Sequence, residues 1–118
     1  MKILIVDDER TFLLCLKEFL MEPELNIDTA ETFEEAMFLI GRNNYDYVIS
    51  DIRLSGVLGE EGFDILTHIK EYKPRTKVII ITSYDSPAVM QKAYSLGADL
   101  YFEKPVSANV LLEALKNV

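Results

Sequence analysis

The chain has 118 residues, 49% hydrophobic and 27% charged, with 20 acidic against 12 basic side chains and a formal charge of −8. That is enough for one core and too ordinary a composition for disorder, and the acidic surplus argues against a nucleic-acid-binding face, which needs basic residues. A single cysteine, Cys15, excludes an internal disulfide and a cysteine-rich zinc site, and no apolar run approaches the roughly 18 residues of a membrane span. The expectation is one domain over 1–118, in a reducing cytoplasmic setting, without membrane contact.

The first predicted strand, Ile3 to Val6, runs straight into two adjacent carboxylates, Asp7 and Asp8. Neighbouring carboxylates repel, and partial burial raises the cost of ionising both, so either water or a counter-charge must compensate them. The first helix follows, with Phe12, Cys15, Leu16, Phe19 and Leu20 expected to face the core and Leu14 and Met21 on the opposite side. Cys15 then reads as a small buried hydrophobe. The second strand, Ile27 to Ala30, alternates apolar and polar residues, as an edge strand does.

Thr32 to Glu35 has the capping-box form and opens a helix whose apolar positions include Phe33, Ala36, Met37 and Ile40. The third strand, Tyr47 to Ser50, ends at Asp51. The third helix carries the only histidine, His68, read as a surface residue away from the strand ends. The fourth strand, Val78 to Thr82, leads to Ser86 as N-cap, Pro87 at the first helical position and Gly97 as the stop. On that fourth helix Met90 and Tyr94 read as core packing, with a bordering surface role as the alternative. The fifth strand, Leu100 to Phe102, precedes Lys104-Pro105, a candidate cis peptide. Ser107 caps a last helix striped by Val110, Leu111, Ala114, Leu115 and Val118. Five strand-helix units in alternation predict a doubly wound α/β domain with a five-stranded parallel sheet and helices on both faces.

The polar residues at strand ends carry the chemistry. Asp7, Asp8, Asp51, Thr82 and Lys104 all follow or end predicted strands, and in an open parallel sheet the carboxyl ends share one edge where ligands bind. Three carboxylates brought together call for a cation, and hard oxygen donors suit magnesium. Asp51, at the mouth of a central strand, is then a nucleophile toward phosphorus. Lys104 supplies positive charge and Thr82 a hydroxyl for phosphoryl oxygens.

The motifs "ILIVDDE", "DYVISDIRLSG", "VIIITSYDS" and "GADLYFEKPV", in this order and across essentially the whole chain, resemble the receiver domain of two-component response regulators. The resemblance implies the flavodoxin-like strand order 2-1-3-4-5. It implies a signalling domain, not an enzyme acting on an external metabolite, whose Asp51 takes a phosphoryl group from a phosphohistidine on a sensor histidine kinase or a histidine phosphotransfer protein. It further implies that Asp8, Asp51 and the backbone carbonyl of Arg53 hold Mg2+, or another divalent cation such as Mn2+, with Asp7 acting largely through coordinated water. Thr82 would bond the phosphoryl and Tyr101 would swing inward, rearranging a surface around the fourth helix, fifth strand and fifth helix that binds a target or dimerises. That target or output domain would be the partner, and the chain is either free-standing or cut from a longer protein.

Three positions refine this reading. Arg53 and Tyr84 border the phosphoryl in relatives and are candidates for shielding it from water, the alternative being two solvated side chains. Leu14 and Met21 are candidates for docking the kinase, the alternative being isolated exposed apolar residues. The loop "LSGVLGEEG" departs from relatives: Ser55 replaces a proline and about three residues are inserted, although Leu54 and Gly56 still match. A competing function is an aspartyl-phosphate hydrolase, which needs a second acid two residues after the nucleophile, where this chain has Arg53. Another is a degenerate receiver serving as a phosphorylation-independent interaction module, which would be expected to lack an acid, the nucleophile or the lysine.

Overall fold

Runs that are apolar at successive positions can be buried only if both sides of the strand are covered, and the fold does this with two layers of helix around one sheet. The computed structural model describes residues 1–54 and 60–116. The elements in chain order are β1 (Lys2–Val6), α1 (Arg10–Phe19), β2 (Asn26–Ala30), α2 (Phe33–Arg42), β3 (Tyr47–Asp51), α3 (Glu61–Tyr72), β4 (Lys77–Thr82), α4 (Pro87–Ser95), β5 (Leu100–Glu103) and α5 (Ala108–Lys116). All strand pairs are parallel, and the sheet order is β2-β1-β3-β4-β5. This is the expected doubly wound architecture, and it puts the alternating β2 at an edge.

Strand periodicity divides the core in two. Leu4, Val6, Val48, Val78 and Ile80 meet Ala36 and Ile40 of α2, Phe63, Leu66 and Ile69 of α3, and Ala93 of α4. On the other face Ile3, Ile5, Ile49, Ile79 and Ile81 meet Leu13, Leu16 and Leu20 from the α1 segment and Leu111 and Leu115 of α5. Each such side chain, fully buried, contributes on the order of 1.5–3 kcal/mol. The strands are thereby fixed at their centres, leaving their carboxyl ends to carry polar groups.

The predicted helix signals are realised. Thr32 Oγ1 accepts from the Glu35 amide at 3.1 Å, Ser86 Oγ from the Val89 amide at 3.1 Å and Ser107 Oγ from the Val110 amide at 3.2 Å. Gly97 ends the α4 segment at φ +106°, a backbone conformation that L side chains avoid. The Lys104-Pro105 peptide is cis. Among the described residues no helix is long and apolar enough to cross a membrane.

Five side-chain placements differ from expectation. In α1 the inward stripe is Leu13, Leu16 and Leu20, while Cys15 is exposed and Phe19 is 54% exposed. "FLLCL" offers apolar residues at five consecutive positions, so periodicity alone leaves the phase of the helix open by about one residue, or ~100°. Leu14 and Met21 are exposed as expected, Met21 lying beyond the helix end. On α4, Met90 and Tyr94 are exposed and only Ala93 is buried, so neither packs in the core as expected. On α5, Val110 is exposed, the buried positions being Leu111 and Leu115. His68 is partly exposed on α3, its ring tilted by 44° against that of Tyr72 with centres 4.8 Å apart. Ser55 and Gly56, with the rest of the lengthened loop to residue 59, and Val118 lie outside the described residues.

Candidate functional site

The parallel register brings the ends of β1, β3, β4 and β5 to one edge. β1 stops where the Asp7 amide donates to Ala30 O at 3.1 Å, and β5 is tied to β4 by the Lys104 amide donating to Thr82 O at 2.8 Å. Oxygens of Asp7, Asp8 and Asp51 lie within 4.8 Å of one another. Asp7 and Asp51 are buried, whereas Asp8 faces solvent.

Lys104 spans the cluster. Its Nζ donates to Asp7 Oδ2 at 2.7 Å and to Asp51 Oδ2 at 3.1 Å, approaches Glu9 Oε1 at 3.4 Å, and stands 4.6 Å above the centre of the Phe12 ring. The remaining carboxylate oxygens are held by backbone: Asp7 Oδ1 accepts from the Glu9 amide at 2.9 Å and Asp51 Oδ1 from the Ile52 amide at 2.7 Å. Both side chains are thus aimed by atoms that cannot rotate away.

One ammonium does not balance this much negative charge. Burial pushes Asp7 up from 3.8 to about 6, against the lowering effect of its Lys104 hydrogen bond, and burial likewise raises Asp51. For Lys104, burial favours the neutral amine, but the Asp7 hydrogen bond and the nearby Asp51 and Asp7 charges outweigh it and hold the ammonium above its usual range. The donor set, three carboxylates with one of them open to solvent, fits a hard divalent cation such as magnesium, which would offset the cost that burial sets on ionising Asp7.

The Thr82 and Tyr101 side chains are engaged elsewhere than in this cluster. Thr82 is buried, and its Oγ1 accepts from the Tyr84 amide at 3.0 Å. The Tyr101 hydroxyl donates to Asp85 Oδ1 at 2.8 Å. Arg53 and Tyr84 meet each other, a contact that was not anticipated: the guanidinium carbon lies 3.4 Å from the Tyr84 ring centre, a cation–π stack that joins the loop after β3 to the loop after β4.

Three residues that sequence reasoning did not single out shape the site. Glu9 adds a carboxylate to Lys104, and Asp85 holds Tyr101. Gly62, in the first turn of α3, donates its amide to Ile52 O at 2.8 Å, and a Cβ there would lie 2.5 Å from Ile52 Cα. A glycine inside a helical pattern was the available signal for it; Glu9 and Asp85 carried none beyond being acidic. An open cleft of about 400 Å3, lined by Glu9, Phe12, Ser83, Lys104, Pro105 and Val106, leads to the lysine from outside.

A family model described as the response regulator receiver domain matches residues 3–116. A two-component response regulator of Arabidopsis thaliana is 32% identical over 120 residues, an alignment that takes in 100% of this chain and 17% of that protein. A two-component response regulator from Clostridium difficile superposes with a TM-score of 0.89 at 30% identity, covering 98% of this chain and 93% of that one. The BeF3-activated receiver domain of DrrB, a protein of Thermotoga maritima, gives 0.84 at 31% identity, with 98% and 93% covered. The chain spans 17 to 60% of the length of the curated relatives it matches.

Proposed function

The chain belongs to the response-regulator receiver family, and from that premise we propose that residues 1–118 form one phosphoacceptor unit in which Asp51 takes a phosphoryl group from a phosphohistidine of a sensor histidine kinase or histidine phosphotransfer protein. The observation that carries this reading is the bridge from Lys104 to both Asp7 and Asp51, which assembles nucleophile, acid pair and cation on one edge of the sheet. In the transfer a bond forms between a carboxylate oxygen of Asp51 and phosphorus. The phosphorus–nitrogen bond breaks, and its electron pair returns to the imidazole of the donor.

This chain's own groups divide the work. The Ile52 amide holds one Asp51 oxygen, so the other is the one that must exchange Lys104 for phosphorus. Lys104, already at the site, then pairs with a phosphoryl oxygen. Asp8, Asp51 and the Arg53 carbonyl would hold Mg2+, or Mn2+ in its place, with Asp7 acting through water. When bound, the ion supplies positive charge opposite the phosphoryl oxygens. The catalysis is of the domain's own phosphorylation and hydrolysis, in keeping with a signalling domain.

The output follows from Thr82. Its hydroxyl, now engaged by the Tyr84 amide, turns to the phosphoryl, and Tyr101 moves inward behind it. The surface of α4, β5 and α5, where Met90, Tyr94 and Val110 are exposed, then changes shape for a target protein, an output domain or a second copy.

Incubation with magnesium and acetyl phosphate, followed by intact mass, tests the reading. The expected result is a single phosphoryl addition that needs the metal and is absent from an Asp51→Asn variant. If the parent adds none and binds no beryllofluoride, the interaction-module reading replaces this one.

The Arg53–Tyr84 stack gives a second expected result. It joins the loop that follows Asp51 to the loop that follows Thr82, and a cation–π contact of this kind is worth about 0.5–2 kcal/mol. Replacing both residues with alanine is expected to speed loss of the aspartyl phosphate roughly three- to tenfold, read as the decay of the phosphorylated mass after the donor is removed. An unchanged decay would mean that the stack shields nothing.

A further inference from the structure

The segment joining β4 to α4 is tied to three different parts of the site by three consecutive features. Tyr84 donates its amide to Thr82 Oγ1 at 3.0 Å, and its ring lies against Arg53 at 3.4 Å. The next residue, Asp85, accepts the Tyr101 hydroxyl at 2.8 Å, and the Tyr94 ring, centred 6.3 Å from that of Tyr101, stands beside it. Asp85 itself is exposed, as is most of this segment. The carboxylate therefore reaches the hydroxyl at the protein surface.

Resting on the phosphoacceptor reading above, we infer that Asp85 is a positioning residue for the switch: its carboxylate holds the Tyr101 hydroxyl in its present place and so sets how readily occupation of Asp51 moves Thr82 and Tyr101. The hydrogen bond is charge-assisted, which makes it stronger than a neutral one, and its exposure to water keeps it a bias and not a lock. Any rotation about χ1 that carries the Tyr101 hydroxyl away from Asp85 breaks it, so it belongs to one of the two states only. An interaction present in one of two states shifts the equilibrium by its full differential value, and a ligand that needs the other state binds more weakly by the fraction of molecules withheld.

The same segment couples the two movements. A rotation of Thr82 about χ1 that carries Oγ1 toward a phosphoryl releases the Tyr84 amide, and Tyr84 is the covalent neighbour of Asp85. Release at Thr82 thus loosens the backbone that presents the Asp85 carboxylate, so the first movement weakens the restraint on the second. Burial, then the Asp85 hydrogen bond and charge, raise the Tyr101 hydroxyl above its ordinary value, keeping it a donor throughout the neutral range.

The test is a double-mutant cycle read by beryllofluoride binding in the presence of magnesium, with Tyr101 observed separately by 19F NMR of protein carrying 3-fluorotyrosine, its resonance assigned with a Tyr101→Phe variant. Asp85→Ala is expected to tighten beryllofluoride binding about three- to tenfold, Tyr101→Phe to do the same, and the double variant to gain no more than either alone. In the ligand-free Asp85→Ala protein the Tyr101 resonance should move part of the way to its ligand-bound position, and Asp85→Asn, which keeps an acceptor oxygen, should fall between. If the parent binds beryllofluoride but Asp85→Ala changes neither affinity nor resonance, or if the two gains add, the role of Asp85 is overturned while the phosphoacceptor reading stands. If the parent binds none, that reading fails and the role of Asp85 with it.

Discussion

Replacing Lys104 with methionine is expected to destabilise the domain by about 3 kcal/mol at pH 7 in the absence of divalent cation, with part of the loss restored by magnesium. Methionine keeps an unbranched apolar stem of similar size, so packing against Phe12 changes little and the main loss is charge. The Lys104 side chain is 9% exposed, that of Asp7 0% and that of Asp51 7%, which leaves two buried carboxylates without their common partner. Removing one member of a buried ion pair typically costs about 3–5 kcal/mol, and the low end applies because Asp7 can relieve its own charge by taking a proton. Urea unfolding with and without magnesium measures this. The contrast is Lys116→Met: its pair with Glu22 at 3.8 Å is largely solvated and should cost less than about 1 kcal/mol. Equal losses for the two variants would mean that the bridge at the site is no more than a surface contact.

The pH dependence has a definite sign. Burial holds Asp7 protonated up to about 6 in the folded protein, against 3.8 unfolded. The folded state therefore keeps a proton that the unfolded state releases, and the stability linked to it is full below 3.8 and lost as pH rises through about 6. Without Lys104, the hydrogen bond and charge that lower Asp7 are gone, so the loss extends to higher pH. The deficit of the variant relative to the parent should accordingly shrink on acidification from neutral pH toward about pH 5.

What was legible in the sequence follows the same physics. β1, β3 and β4 announce themselves because strands covered on both faces are apolar at every position, and once those strands are parallel their carboxyl ends must share an edge. Asp7, Asp8, Asp51 and Lys104 converge for that reason, from positions up to 97 residues apart. The phase of α1 was not legible, because five consecutive apolar residues satisfy more than one helical face, and only packing into the core cluster that holds Ile3 and Ile49 selects Leu13 over Cys15. On α4, Met90 and Tyr94 have the spacing of a core stripe, yet the helix meets the sheet through the small Ala93. Asp85 and Glu9 resemble any solvated acid until the chain brings Tyr101 and Lys104 to them.

Gly62→Ala is expected to lower stability by about 2 kcal/mol and to slow phosphorylation of Asp51 roughly a hundredfold. Two effects oppose each other at this position. Alanine is the better helix former by about 1 kcal/mol, which favours the variant. Against it, the new Cβ would overlap the Asp51 carbonyl oxygen and lie 2.5 Å from Ile52 Cα and 2.9 Å from the Asp51 carbonyl carbon. All three atoms are backbone, so no side chain can swing aside, and overpacking of this kind costs about 1–3 kcal/mol or more. The clash wins, and relief comes only by moving α3 away from the end of β3. Such a shift breaks the bond from the Gly62 amide to Ile52 O and displaces the residue whose amide aims Asp51. Gly41, inside α2, isolates the propensity effect: nothing lies within 4 Å of a Cβ built there, so Gly41→Ala should stabilise the protein by about 0.5–1 kcal/mol and leave phosphorylation unchanged. Denaturant unfolding and the rate of phosphoryl addition from acetyl phosphate, measured on both variants, give opposite signs if close contact between α3 and β3 holds the nucleophile in place. A stabilised, fully active Gly62→Ala protein would mean that helix propensity, and not that contact, governs the position.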